Sequence, residues 1–156
     1  RRLQIEFSQV IQRITDETGK EISASDIWDT FQETYLNENG TFKFLEHHIN
    51  STANKEGIQE DEIEIKIEKG SEIKTITGTG NGPIDAMINA LSTNLELNVK
   101  IADYHQLAIS SGSDAHAVAY SEISYKIQSV WGVGIHQNTV IAGLESVING
   151  LNRLSI

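Results

Sequence analysis

The chain repeats itself, and that fact limits its fold more than any other feature. Phe42-Lys43-Phe44-Leu45-Glu46-His47-His48 matches Val99-Lys100-Ile101-Ala102-Asp103-Tyr104-His105 in character, position by position. Gly78-Thr79-Gly80 likewise has its counterpart in Gly132-Val133-Gly134, and counterparts lie 54 to 57 residues apart. A repeat of this length means that one supersecondary unit is used twice. In the first copy, Asp61–Glu68 alternates strictly: Ile63, Ile65 and Ile67 fall on one face, and Glu62, Glu64, Lys66 and Glu68 on the other. That period of two is the mark of a half-buried antiparallel strand. Lys69-Gly70-Ser71 turns the chain and Glu72–Thr77 returns, while the polar stretch Ser51–Gln59 reads as a loop or flexible tip. Ile84, Met87, Ile88, Leu91 and Leu95 then recur at helical spacing over Pro83–Leu95. In the second copy Ala115–Ile127 alternates and Gln128–Val133 returns. A helix from about Asn138 carries Val140, Ile141, Leu144, Val147, Ile148, Leu151 and Leu154. The expected fold class is α+β: two βββα repeats related by pseudo-twofold symmetry, each helix covering the apolar face of its own sheet.

A different period precedes the repeats. Leu3, Phe7, Val10, Ile11 and Ile14 share one face of a helix from about Arg2 to Glu17, which Gly19 ends. Ser23 or Ser25 caps a second helix whose apolar face is Ile27, Trp28, Phe31 and Tyr35. Asn37-Glu38-Asn39-Gly40 breaks the pattern. The expected division is a small helical linker subdomain over residues 1–40 and a repeat domain over 41–156. The first residues, Arg-Arg-Leu-Gln, are already in helical phase and lack an initiator Met, so the chain reads as part of a longer protein.

Composition removes several functions. There are 22 acidic against 12 basic residues, a net charge of −10. A nucleic-acid binder needs positive charge to displace counterions, and an anionic membrane surface attracts basic segments, so neither partner is expected. No apolar run approaches the roughly 20 residues of a membrane span. Without cysteine there is neither disulfide nor thiolate chemistry, which is compatible with a cytoplasmic protein. The five histidines, at 47, 48, 105, 116 and 136, show no chelating spacing, and His47-His48 on a strand point to opposite faces. Ser110, Ser111 and Ser113 have no base arranged beside them. Trp28 and Trp131 read as core or interface anchors.

The stretch with ligand chemistry is Thr77–Leu91. A strand ends, Gly78, Gly80 and Gly82 follow, and the chain's single proline, Pro83, opens a helix. Backbone donors converge at such a helix start, which suits a small anion or carboxylate. The spacing is not the full Gly-x-Gly-x-x-Gly of dinucleotide sites, and the setting is antiparallel. The second copy lacks Asn81-Gly82-Pro83. It has instead the small-residue stretch Leu107–Ala115, either a plain loop or room for a ligand.

Several separated motifs then resemble one family in the right order. Gly80-Asn81-Gly82-Pro83-Ile84-Asp85-Ala86, Asp103-Tyr104, Gly112-Ser113-Asp114-Ala115-His116-Ala117-Val118-Ala119-Tyr120 and Trp131-Gly132-Val133-Gly134-Ile135 resemble the C-terminal regulatory domain of 2-isopropylmalate synthase. Arg1-Arg2-Leu3-Gln4-Ile5-Glu6-Phe7-Ser8 and Ile27-Trp28-Asp29 resemble the helical linker before it. The likeness implies a parent enzyme that condenses acetyl-CoA with 2-oxoisovalerate in leucine synthesis, on a (β/α)8 barrel with a divalent metal. The 156 residues here hold no eightfold βα alternation, so the chain is expected to be inactive alone and to need no cofactor. Its implied role is to bind L-leucine, or a similar branched-chain amino acid, at a homodimer interface and to lower activity in the barrel of the same chain. The residues carried over for the ligand are Gly80, Gly82, Ile84, Asp85, Ile101, Tyr104, Ala108, Ala115 and Thr139. Asp85 and Thr139 stand in the first turns of their helices, where capping is an equally good role. Asp85, Asp103 or Asp114 could hold the ammonium group. Two other readings stay open: an isoleucine-sensing domain of citramalate synthase, and a dimerisation scaffold without ligand.

Overall fold

The computed structural model describes residues 2–19, 22–36, 40–109 and 115–154. Two helices come first, α1 (Arg2–Thr18) and α2 (Ala24–Tyr35). The first repeat follows as β1 (Phe42–Ala53), β2 (Gln59–Lys69), β3 (Glu72–Gly80) and α3 (Pro83–Leu95). The second is β4 (Lys100–Ala108), β5 (Ala117–Tyr125), β6 (Gln128–His136) and α4 (Thr139–Leu151). Each repeat forms its own antiparallel three-stranded sheet in sequence order, β1-β2-β3 and β4-β5-β6. The repetition extends to a local irregularity. Register slips between Phe44 and Glu46 in β1, and at the matching place between Ile101 and Asp103 in β4. One residue, Leu45 or Ala102, is extra to the ladder in each copy, as in a β-bulge.

The alternation in β2 decides its burial. Ile63, Ile65 and Ile67 are buried with Ile76, Met87 and Leu91, and the same apolar body continues through Ile123, Leu144, Val147 and Leu151 of the second repeat. The two units therefore share one core, and neither sheet has to hide its apolar face alone.

Each helix comes very close to its sheet, and glycines make this possible. A Cβ on Gly78 would stand 2.6 Å from the backbone of Ala86 and Ala90, and one on Gly132 would collide with Ser146 and Gly150. Thus Gly78-Thr79-Gly80 and Gly132-Val133-Gly134 are first of all seats for α3 and α4.

Helices α1 and α2 cover the other face of the second sheet. Phe7, Phe31 and Leu36 pack around buried Tyr35 against Val118, Trp131 and Val133. Ser23 is the cap of α2, its hydroxyl accepting from the Asp26 N–H at 3.1 Å. Trp131 is a core residue as expected. Trp28 is not: it is 51% exposed and stacks on Phe31.

Three sequence expectations need correction. Ser51–Gln59 is a loop only over 54–58, because β1 runs to Ala53 and β2 starts at Gln59. There the Asn54 side-chain oxygen accepts from the N–H groups of Glu56 and Ile58, each at 3.1 Å. This ribbon projects beyond the core and is exposed throughout, so it is held by ladder bonds that leave no apolar period. Strand β5 is shorter than Ala115–Ile127, since Lys126 adopts φ 54° and turns the chain with Ile127. The returning strands β3 and β6 run on to Gly80 and His136. Among the described residues no helix is long and apolar enough to cross a membrane.

Candidate ligand site at the helix starts

The first part of the site is the turn between β3 and α3. Gly82 caps the helix with φ 116° and ψ 164°, a region open essentially to glycine alone, and Pro83 follows in the first turn. Gly80 is there for proximity, since a Cβ would stand 2.5 Å from the Ala86 nitrogen and 2.6 Å from the Asp85 carboxylate. Asp85 reaches back and accepts the Asn81 N–H at 2.8 Å. It is thus a capping residue, as half expected. The N–H groups of Ile84 and Asp85, in the first turn, have no intrahelical acceptor.

The second part joins β4 to the start of α4. Gly143 lies in the middle of α4, and a Cβ on it would stand 2.7 Å from the Tyr104 hydroxyl and 3.0 Å from Ile84 Cδ1. The missing side chain lets Ile84, from the glycine turn, and Tyr104, from β4, meet on one helix. Burial pushes the Tyr104 phenol above its ordinary pKa. Its hydroxyl donates to Gln106 Oε1 at 3.3 Å, and Gln106 Nε2 donates to the Thr139 carbonyl at 3.0 Å. Beyond them opens a cleft of about 370 Å3, walled by Gln106, Leu107, Ala108, Ala115, Ala117 and Thr139. Thr139 is not the cap of α4. Asn138 is, its Oδ1 accepting from the Ile141 N–H at 3.0 Å while its own N–H donates to His136 Nδ1 at 2.9 Å.

Of the nine candidate residues, Ala108, Ala115 and Thr139 line this cleft. Ile84 and Tyr104 converge on Gly143, and Gly80, Gly82 and Asp85 build the glycine turn. Ile101 is half-buried against the common core. Among the acids considered for an ammonium group, Asp85 is occupied as a cap. Asp103 is bound to Arg2 on the other side of β4. Asp114, with Ser110–Ser113, lies outside the described residues.

Sequence reasoning missed three residues that matter here. Gly143 had a signal, a lone glycine inside an apolar helical pattern. Gln106 had none. Asp61 had one in its parity, being in phase with Ile63, Ile65 and Ile67. It is 1% exposed, stands across from Gly80, and receives one long hydrogen bond of 3.5 Å from Gln59. Among the described residues no Lys, Arg or His pairs with it.

A larger hollow of about 600 Å3 lies over the first sheet, among His48, Asn50, Glu62, Glu64, Thr77 and Asn89. Its wall mixes polar side chains with Ile63 and Gly78, and it includes none of the nine candidate residues. Among the described residues no three His, Asp or Glu side chains are grouped to hold a metal.

The chain matches known proteins over nearly its full length. It is 41% identical over 155 residues to the 2-isopropylmalate synthase of Rhizobium meliloti (strain 1021), covering 99% of this chain and 27% of that protein. The 2-isopropylmalate synthase of Mesorhizobium japonicum is 43% identical with the same coverage, and that of Rhodospirillum rubrum 40% identical over 156 residues. The chain thus spans about 27% of the length of these relatives. Residues 21–155 match the model of the LeuA allosteric (dimerisation) domain. A match to this model across both repeats and the second helix means that the chain belongs to the family of LeuA allosteric (dimerisation) domains.

Proposed function

We propose that this chain is the feedback-regulatory part of a cytoplasmic 2-isopropylmalate synthase, and that it binds L-leucine at a homodimer interface formed by the two helix starts. The carrying observation is the meeting of Ile84 and Tyr104 at Gly143, beside a cleft lined by Ala108, Ala115 and Thr139. Leucine has one carboxylate, one ammonium group and an isobutyl group. The free N–H groups after Gly82 suit the carboxylate. The Asp85 carboxylate already stands in that turn, so it weakens the pull on a second anion and leaves room for one zwitterion rather than a phosphate. The alanines and the ring of Tyr104 offer shape to the isobutyl group. Exposed Leu107 in the wall of the cleft, and exposed Ile109 two residues on, are what a second copy of the chain would cover.

In this reading the parent enzyme joins acetyl-CoA to 2-oxoisovalerate in its own barrel, where the divalent metal belongs, and this domain sets how far leucine slows that step. The coupling is a free energy between two sites, typically about 1–3 kcal/mol. Calorimetry with leucine and isoleucine, together with the mass in solution, tests the proposal. A dimer that prefers leucine supports it. Tighter isoleucine binding moves the chain to citramalate synthase, and no binding at millimolar concentration leaves a dimerisation scaffold.

A further inference from the structure

Helix α1 has no buried residue, so it is the element most easily lifted from the body. Leu3 and Phe7 give it an apolar contact with the Tyr35 cluster, and ion pairs add to that hold at its first turns. Asp103 on β4 and Glu122 on β5 stand directly opposite each other in register. Two carboxylates in that arrangement repel. The Glu122 side chain is only 12% exposed, so water relieves little of the repulsion. Arg2 of α1 answers it: one guanidinium nitrogen stands 3.0 Å from Asp103 and 2.9 Å from Glu122. Glu122 Oε1 has no directed hydrogen bond, so this ionic contact is its compensation. At the next turn Glu6 is held by Arg153 and by the Tyr35 hydroxyl at 2.8 Å.

Strand β4 carries both this contact and the candidate site. Tyr104 turns towards α4 and the cleft, while Asp103, the residue before it, turns towards α1. The two are also bonded directly, since the Tyr104 N–H donates to Asp103 Oδ1 at 3.0 Å. The backbone of Tyr104 is thus tied to the carboxylate that Arg2 grips.

We propose that Arg2, Asp103 and Glu122 form a releasable latch by which occupancy of the cleft at Tyr104 alters the hold on helix α1. The proposal rests on the leucine-site reading above. A ligand can shift such a contact only if it favours the latched or the released state. The device is local, needs no change of fold, and acts on a helix that has no fully buried residue.

The test uses the full-length synthase carrying Arg2→Gln, Arg2→Lys or the pair Asp103→Asn with Glu122→Gln. Leucine affinity, leucine inhibition of the condensation and amide exchange in α1 are measured for each. Arg2→Gln is expected to keep leucine affinity within about threefold, to raise exchange in α1 by about tenfold, and to weaken inhibition by about tenfold, the size of a common allosteric coupling. Arg2→Lys keeps the charge without the fork and falls between. The double variant removes the repulsion with the latch, so α1 exchange rises less while inhibition is still weakened. Unchanged inhibition with raised exchange overturns the sensing role, and unchanged exchange overturns the latch. If the wild type binds no branched-chain amino acid, the site reading is the step that failed, and the sensing role falls with it.

Discussion

Asn89 and Asn149 do the same thing in the two repeats: each side-chain amide donates to an outward carbonyl of the last strand, Thr79 or Val133, at 2.7 Å in both cases. The carbonyl two residues earlier is filled as well, Thr77 by Asn94 at 2.7 Å and Trp131 by Arg153 at 2.8 Å. Edge strands with open acceptors invite further strands, and here each helix covers its own sheet's edge with side chains. The glycines that seat the helices bring those amides within reach. Because Asn149 is half-buried and Asn89 is exposed, water can replace only the second. Asn149→Ala is expected to cost about 1–2 kcal/mol and Asn89→Ala about 0.5 kcal/mol. Urea unfolding of both variants checks the order; equal costs would mean that the edge carbonyl of Val133 is not sealed.

The glycines separate into two kinds. Gly134 and Gly78 have no room for a Cβ, which would strike the backbone of α4 or α3. Alanine at either should cost about 3 kcal/mol or more, since backbone must move. Gly82 has open space but a φ of 116°. Gly82→Ala is expected to cost only about 1–3 kcal/mol of local strain, to leave the melting cooperative, and to weaken leucine binding by re-aiming the first turn of α3. A Gly82→Ala protein that melts at the wild-type temperature and binds leucine normally would return this turn to plain chain reversal.

Asp61 lies on the apolar face of β2, at 1% exposure and with one long hydrogen bond. A buried carboxylate without a cation is costly, and an amide of the same shape carries less of that cost. Asp61→Asn is expected to stabilise the fold by about 1 kcal/mol, read as a higher urea midpoint. A lower midpoint would mean that the carboxylate has a use in the folded chain beyond its bond to Gln59.

Much of this fold was legible because the residues that build it obey simple periods. Ile63, Ile65 and Ile67 announce β2, and the Gly-x-Gly pairs announce the strand that seats each helix. What the sequence hid has physical reasons. The strand ends that flank the turn at 54–58 are exposed throughout, so hydrogen bonds alone hold them. Thr139, in the first turn of α4, reads as well for a cap as for a ligand residue, but Asn138, one residue earlier, holds the capping bond, an offset that a single sequence does not resolve. In the candidate site, Ile84 and Tyr104 stand out as single residues, but their meeting depends on Gly143, 39 residues beyond Tyr104. Arg2 and Asp103 are 101 residues apart, and no local pattern joins them.

Filling the cleft tests the site without touching the glycine turn. Ala108 is exposed at the end of β4 and faces open volume, so a larger side chain there meets no packed core. Ala108→Phe is expected to lower leucine affinity by tenfold or more while changing stability by no more than about 0.5 kcal/mol, as for other exposed positions. Calorimetry and a thermal melt on the same sample separate the two effects. Undiminished leucine affinity would place the ligand elsewhere.

The docking of α1 should depend on pH in one direction only. The Arg2 guanidinium holds the Asp103 carboxyl below its usual 3.8, helped by His105 and by the Tyr104 N–H and opposed by desolvation. A carboxylate whose folded pKa is depressed contributes fully above its unfolded value and loses that contribution as pH falls through the lower folded one. Docking of α1 should therefore hold from neutral pH down to about 4 and weaken below it. His105 stands 3.1 Å from the other Asp103 oxygen. Trp131 lies under the α1–α2 pair, so its fluorescence in a Trp28→Phe background reports the change. Asp103→Asn should remove most of this acid limb. An unaltered limb in that variant would mean that Asp103 is not the source of the acid response.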